Sequence, residues 1–335
     1  MQRAESKLIP SISSGLSARV TRRPWEDSTQ NKATHLVIMA LLCWQCAAAG
    51  SPAIATIQSR DLIRGIPPRP GDALTGSDFV AYVSKLDPRQ REMAIREEIL
   101  KGNLPDFLRK LVPVELRYTS PGNRAITATI FVMPDYLAIG SDDNCLRIPM
   151  NLYSATSIAN RLGFVLPTKK MVDAIYAQSA HHLVPEPLPA GPRMRSTEYY
   201  WIHNQMIERQ EHRLGIRLGE LVSGHKKDVV LTNRLREKEG RIAIYGWHRH
   251  VGDPIQPLCT VHGAAYADYS HGIRLISALA IVDGQIRSVY EVLRDPRQAG
   301  VFSSEGPMDR LLWIPVPEDP SLSKASALQV TGPRQ

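Results

Sequence analysis

VPVELRYT at residues 112–119 and RAITATIFVM at 124–133 are the stretches that decide the fold. The first alternates apolar with polar side chains and the second is rich in β-branched residues, so both suit pleated strands. Between them stands Ser120-Pro121-Gly122-Asn123, with the chemistry of a tight turn. An antiparallel hairpin is expected. Upstream, Asp87-Pro88 opens DPRQREMAIREEILKG, which closes on Gly102 and predicts a capped helix. Ser77 caps a turn over FVAYVSKL, and 106–111 adds another. Downstream, 154–162, 168–180 and 196–213 read as helices behind Ser or Thr caps. Short extended pieces are expected at 136–140 and 146–150, and strands at 228–232, 241–247 and 279–282. Asp283-Gly284 turns the last strand into a second hairpin with 285–289. Hairpins intermixed with helices, without regular βαβ units, predict an α+β fold: a mixed, largely antiparallel sheet with helices packed on it.

The 335 residues are 43% hydrophobic and 22% charged, which describes a globular chain and excludes collagen, a coiled-coil rod and a polytopic membrane protein. The 25 prolines outnumber the 22 glycines, consistent with many irregular connections. Net charge is +8, but the first fifty residues hold six basic and three acidic side chains. The rest is too evenly balanced for a nucleic-acid face, so no nucleic-acid partner is expected.

Residues 36–49 read LVIMALLCWQCAAA, uncharged, with Lys32 before them and Gly50-Ser51-Pro52-Ala53 after. A basic flank, a short apolar run and a small-residue exit predict a secretory signal peptide. The run is shorter than the ~20 residues of a membrane span, so no stable span remains after its removal. The predicted layout is a signal peptide with an upstream extension at 1–53, a linker at 54–76, a single α+β domain at 77–314 and a flexible Pro/Ser-rich tail at 315–335. The expected location is secreted or periplasmic. Cys145 and Cys259 then remain, free to pair or to be buried as small hydrophobes.

Five histidines fall between 225 and 271, in GHKKDVV, IYGWHRH and GDPIQPLCTVHGAAYADYSHGIRL. Their positions at strand ends and in loops suit functional groups on a rigid scaffold. Three chemistries compete. His248 and His250 flank Arg249, so on a strand they share a face, and with His262, Asp268 and His271 they offer N and O ligands for zinc or a similar divalent ion. Neither HExxH nor a CxxC pair is present. Alternatively Ser270 is a nucleophile served by His248 or His262. In the third, His262 or His271 performs general acid–base work while Lys226, Lys227 and Arg274 stabilise an oxyanion. Against these stand plain structural roles. His181, His182 and His212 read as surface or hydrogen-bonded residues, His203 as partly buried packing, and Lys226-Lys227 as a solvated pair. Trp247 and Tyr245 suit either an aromatic wall for sugars or peptides, or strand packing.

Val261-His262-Gly263 followed by Ser270-His271-Gly272-Ile273-Arg274-Leu275 resembles the active-site loop of L,D-transpeptidases, where an HG element precedes SHGC and an IRL-like ending. The nucleophilic cysteine of that family is missing between Gly272 and Ile273, and Cys259 lies upstream of its place. Cysteine transpeptidation is therefore not carried over; the resemblance implies a secreted enzyme handling cell-wall peptide or glycan. The wider pattern GHKKD, YGWH, PIQPL and DYSHGIRL also resembles an uncharacterised family of bacterial secreted proteins, which implies no particular activity.

The expectation is a secreted hydrolase of cell-envelope or extracellular polymer. Its catalytic candidates are His225, His248, His262, Asp268, Ser270 and His271. Lys226, Trp247, Tyr266 and Arg274 are the candidates for substrate binding, and His250, His262, Asp268 and His271 for metal. The rival is a non-catalytic periplasmic or surface protein that binds a carboxylate or saccharide. Catalysis would require the cluster to converge at one accessible point.

Overall fold

The computed structural model describes residues 57–309. Three helices lead in: α1 (Ser59–Leu62), α2 (Gly76–Val83) and α3 (Pro88–Leu100). Asp87 caps α3 by accepting from the Arg89 and Gln90 amides, and the Gln90 side chain accepts from the Asp87 amide in return. The described part of the expected linker packs on the domain. Leu62 and Ile66 are buried, and Arg69 Nε donates to Asn103 Oδ1 at 3.1 Å and to the Gly140 carbonyl at 3.0 Å. The expected signal peptide and tail lie outside the described residues.

The hairpin forms in unbroken register from β1 (Val112–Thr119) to β2 (Ala125–Val132). Ile126, Ala128, Ile130 and Val132 of β2 all point into the core. Next come the small hairpin of β3 (Ala138–Gly140) and β4 (Cys145–Arg147), then α4 (Leu152–Leu162), β5 (Phe164–Val165) and α5 (Lys169–Gln178). Helix α4 starts two residues earlier than expected because Asn151, not Ser154, is its cap. β6 (His181–His182) pairs in parallel with β7 (Val222–Ser223), and α6 (Thr197–Leu214) runs between them behind the Ser196 cap.

A second sheet carries most candidate residues: β8 (Lys227–Val229), β9 (Ile244–His250), β10 (Asp253–Cys259) and β11 (His271–Gly272), in the order β10-β9-β8-β11. The first sheet closes with β12 (Ile276–Val282) and β13 (Gln285–Ser288), followed by α7 (Val289–Arg294). Strand β12 is central, joining β2 and β13 and pairing with β5. Antiparallel pairing dominates, so the fold is α+β as expected. Strand β10 was not expected from the sequence. Pro254 and Pro257 read as loop, yet prolines without N–H groups are tolerated on an edge strand, which is where β10 lies. Helix α5 packs on β9, with Val172 against Ala243 and Tyr245. Among the described residues no helix is long and apolar enough to cross a membrane.

Candidate functional site

The candidates separate into three settings. The first is centred on the start of β11. Asp268 Oδ1 accepts from the Ser270 amide at 2.8 Å and from Ser270 Oγ at 2.6 Å. Its Oδ2 accepts from Tyr266 Oη at 3.0 Å and lies 3.8 Å from His271 Nε2. The His262 ring stacks on Tyr266 at 4.3 Å, and Tyr266 stands edge-on to His271 at 5.7 Å. His271 is fully buried, and neither ring nitrogen has a hydrogen-bond partner. Burial pushes its pKa down to about 4 against the pull of Asp268, with Lys227, His262 and Lys226 adding to the depression. For Asp268, burial opposes ionisation, but His271, the Ser270 hydrogen bonds and Lys227 outweigh it and hold the pKa below its ordinary value. Gly272 has no room for a side chain: a Cβ there would fall 2.5 Å from the Tyr136 ring and 2.9 Å from Lys226 Cβ.

Lys227 opens β8 and Lys226 immediately precedes it, and the two neighbours have opposite fates, as the alternation of extended backbone dictates. Lys227 is half-buried, its Nζ 4.8 Å above the Trp247 ring. Lys226 is buried rather than solvated; Nζ donates to the Tyr269 carbonyl at 2.7 Å and lies 3.3 Å from His203 Nδ1. Burial, with Arg147 nearby, lowers its pKa to about 7. Trp247 is buried packing, and its φ of 60° is rare for a bulky residue.

The second setting is a closed ion network. His225 Nε2 lies 3.0 Å from Asp135 Oδ1, Arg147 Nε donates to Asp135 Oδ2 at 2.6 Å, and Arg147 Nη2 donates to Glu211 at 2.5 Å. Burial pushes His225 down to about 4, while Arg147 and His225 overcome burial to hold Asp135 well below the carboxylate range. Arg274, expected to hold an anionic group, is fully buried. Its guanidinium donates to the Met133 and Val222 carbonyls at 3.0 and 2.7 Å and covers the Tyr136 ring at 4.3 Å. Its place is structural.

The third setting is an open cleft of about 620 Å³ between α5 and the β9–β10 hairpin. Asp173 accepts from Tyr245 Oη at 2.6 Å and from Lys169 Nζ at 2.8 Å. His248 Nε2 lies 3.5 Å from Asp173 and has no other partner. Burial opposes the Asp173 charge, but these three donors prevail and lower its pKa. Tyr176 is stacked by His182 at 4.2 Å and by His248 at 4.5 Å. Arg234 and an apolar wall of Val251, Pro254, Pro257 and Leu258 complete the lining.

His248 and His250 do not share a face. The left-handed Trp247 and an irregular register at Asp253/Pro254 break the two-residue alternation. His248 turns in to Asp173, while His250 is 74% exposed at the hairpin tip, 3.3 Å from Asp253. The expected metal quartet of His250, His262, Asp268 and His271 is therefore not assembled. Among the described residues no group of three or more His, Cys, Asp or Glu side chains is placed to hold a metal ion. Ser270 is fully buried and its hydroxyl donates to Asp268, so no serine–histidine pair forms. Cys145 and Cys259 are both free; Cys145 is buried, which pushes its thiol up to about 12.

Asp135, Arg147 and Asp173, on which two of these settings depend, were not singled out in the sequence. Only the i, i+4 spacing of Lys169 and Asp173 on α5 hints at one of them. Compared with known protein families, curated proteins and solved structures, the chain matches none of them.

Proposed function

We propose that this chain is an exported ligand-binding protein whose recognition site is the cleft between α5 and the β9–β10 hairpin. The observation that carries this reading is access. Lys169, Asp173 and Arg234 stand at the surface around a 620 Å³ cleft, whereas His225, Asp268, Ser270 and His271 are at most 2% exposed. A catalytic group must reach its substrate, and the cleft volume is ordinary for a small-molecule site. Export is supported by the uncharged apolar run at 36–49. The test is calorimetric titration of the mature protein with cell-wall peptides and saccharides. Saturable binding that weakens in Lys169→Ala and Arg234→Ala is expected; binding indifferent to both substitutions would refute the reading. The export part fails if the native protein in the cytosolic fraction retains its full N-terminus.

A hydrolase acting on cell-envelope or extracellular polymer is the second reading. It is favoured by the unpartnered, buried His271 imidazole 3.8 Å from Asp268 and edge-on to Tyr266, with Lys227 its register partner on β8. The HG…SHG–IRL resemblance points the same way. In that reading His271 and Asp268 are the acid–base pair and Lys227 supplies positive charge. Turnover of cell-wall fragments that His271→Ala abolishes in a folded protein would favour it over binding alone. Assays with and without a chelator would show whether a metal takes part.

A further inference from the structure

We infer that residues 184–195, the strap from β6 to α6, are a lid over the Asp268–His271 centre that lifts to admit substrate; this rests on the hydrolase reading above. The obstacle to that reading is access. His271 is fully buried, and both of its ring nitrogens lack a partner. Such a group is expensive to bury unless it acquires a partner in some state of the protein.

The strap is fastened to the stretch that carries this pair. At its near end Gln210 accepts from the Val184 amide at 2.9 Å and donates to the Val184 carbonyl at 3.0 Å, and at its far end Ser196 caps α6. Between these points the Leu188 amide donates to Tyr269 Oη at 2.8 Å, and that hydroxyl donates back to the Leu188 carbonyl at 3.3 Å. The Tyr269 amide donates to the Met194 carbonyl at 3.0 Å, and the Arg195 guanidinium lies 5.5 Å over the Tyr266 ring. Tyr266 in turn donates to Asp268 and stands edge-on to His271. Glu186 and Arg213 approach only to 3.8 Å at the surface, a contact of little weight.

The same segment is stiff and lightly held. Pro185, Pro187, Pro189 and Pro192 fix their own φ angles and carry no N–H. Of the remaining residues from 185 to 192, only Leu188 donates its amide elsewhere in the chain. Pro185 is buried and Leu188 and Met194 are half-buried against the core, while Pro187, Pro189, Ala190, Gly191 and Pro192 are exposed. The closed position also holds Gly191 at φ 145° and ψ −172°, a region open essentially to glycine alone. A Cβ there would meet nothing within 4 Å, so closure depends on this glycine through its backbone and not through packing.

The test is acylation of the folded mature protein by diethyl pyrocarbonate at neutral pH, mapped by peptide mass spectrometry. His225 is the internal control. It is as buried as His271, is likewise pushed down to about 4 and so neutral, and has an unpartnered Nδ1, but it is held by Asp135 in the ion network. His271 should react measurably faster than His225 in the wild type. Gly191→Ala, which strains the closed strap, and Tyr269→Phe, which removes its hydroxyl fastening, should each speed acylation of His271 about tenfold and leave His225 unchanged. The inference is overturned if His271 reacts no faster than His225 in all three proteins, if neither variant changes its rate, or if the variants speed both histidines alike, which would report general loosening. Turnover of cell-wall fragments is measured in parallel. Acylation as expected without turnover supports the lid and sinks the hydrolase reading; turnover by a protein whose His271 never opens selectively leaves that reading and removes the lid.

Discussion

The β11 centre and the α5 cleft draw on the same residue types, yet they sit in opposite environments. Around β11, Asp268, Ser270 and His271 are sealed, and His271 is kept neutral by burial. In the cleft, Asp173 has comparable partners, a histidine, a lysine and a tyrosine, but its side chain is 39% exposed. Polar groups of the first kind are bound up with stability, because burying charge is tolerated only while every partner stays in place. Those of the second kind can exchange partners with a ligand at little structural cost. A cluster of histidines in sequence thus carries no functional meaning until its access to solvent is known.

This contrast can be broken most directly in the closed network. Asp135→Ala leaves Arg147 and His225 buried without their shared carboxylate and should cost about 3–5 kcal/mol in urea unfolding. A loss below about 1 kcal/mol would mean the network is not closed.

Acidification tests the same region without mutation. His225 and His271 both titrate near 4 when folded, against 6.5 for the free side chain. Between these values the unfolded chain binds more protons, so stability is intact above pH 6.5 and is lost as pH falls toward 4. The two together should lower stability by on the order of 3 kcal/mol between pH 7 and pH 5. A melting temperature that is flat over this window would show that the imidazoles are not buried neutral.

Gly272→Ala should cost about 1–3 kcal/mol through overpacking against Tyr136 and Lys226. An unaltered denaturation midpoint would indicate slack around β11. The smallest effect on stability is expected in the cleft: Lys169→Ala and Arg234→Ala should each stay within about 0.5 kcal/mol of wild type. If either destabilises as much as Asp135→Ala, the cleft is scaffold and the distinction between the regions fails.

Much of the fold was legible because its signals are local. Asp87-Pro88 and the 120–123 turn act over a few residues, and the helix and hairpin form where they predict. Strand β10 was not legible, since Pro254 and Pro257 suppress the strand signal and only the edge position makes them acceptable. The candidate site was legible as composition and illegible as geometry. His262, Tyr266, Asp268, Ser270 and His271 do meet, being close in sequence. His225 and His248 instead pair with Asp135 and Asp173, 90 and 75 positions upstream, and no local pattern encodes those contacts.

From its sequence alone this protein is an α+β chain with a hairpin at its centre, capped helices and a histidine-rich segment at 225–271. Hydrophobic periodicity, caps and turns are properties of neighbouring residues and survive without a three-dimensional frame. Only the tertiary structure decided which of the charged residues meet water. Successive positions on β8 and β9 project to opposite sides, a bulge and a left-handed Trp247 reverse the expected face, and the partners arrive from α5 and from the β2–β3 connection. Solvent access is set by what packs above a side chain, and for the histidines of this protein that is decided far away in the chain.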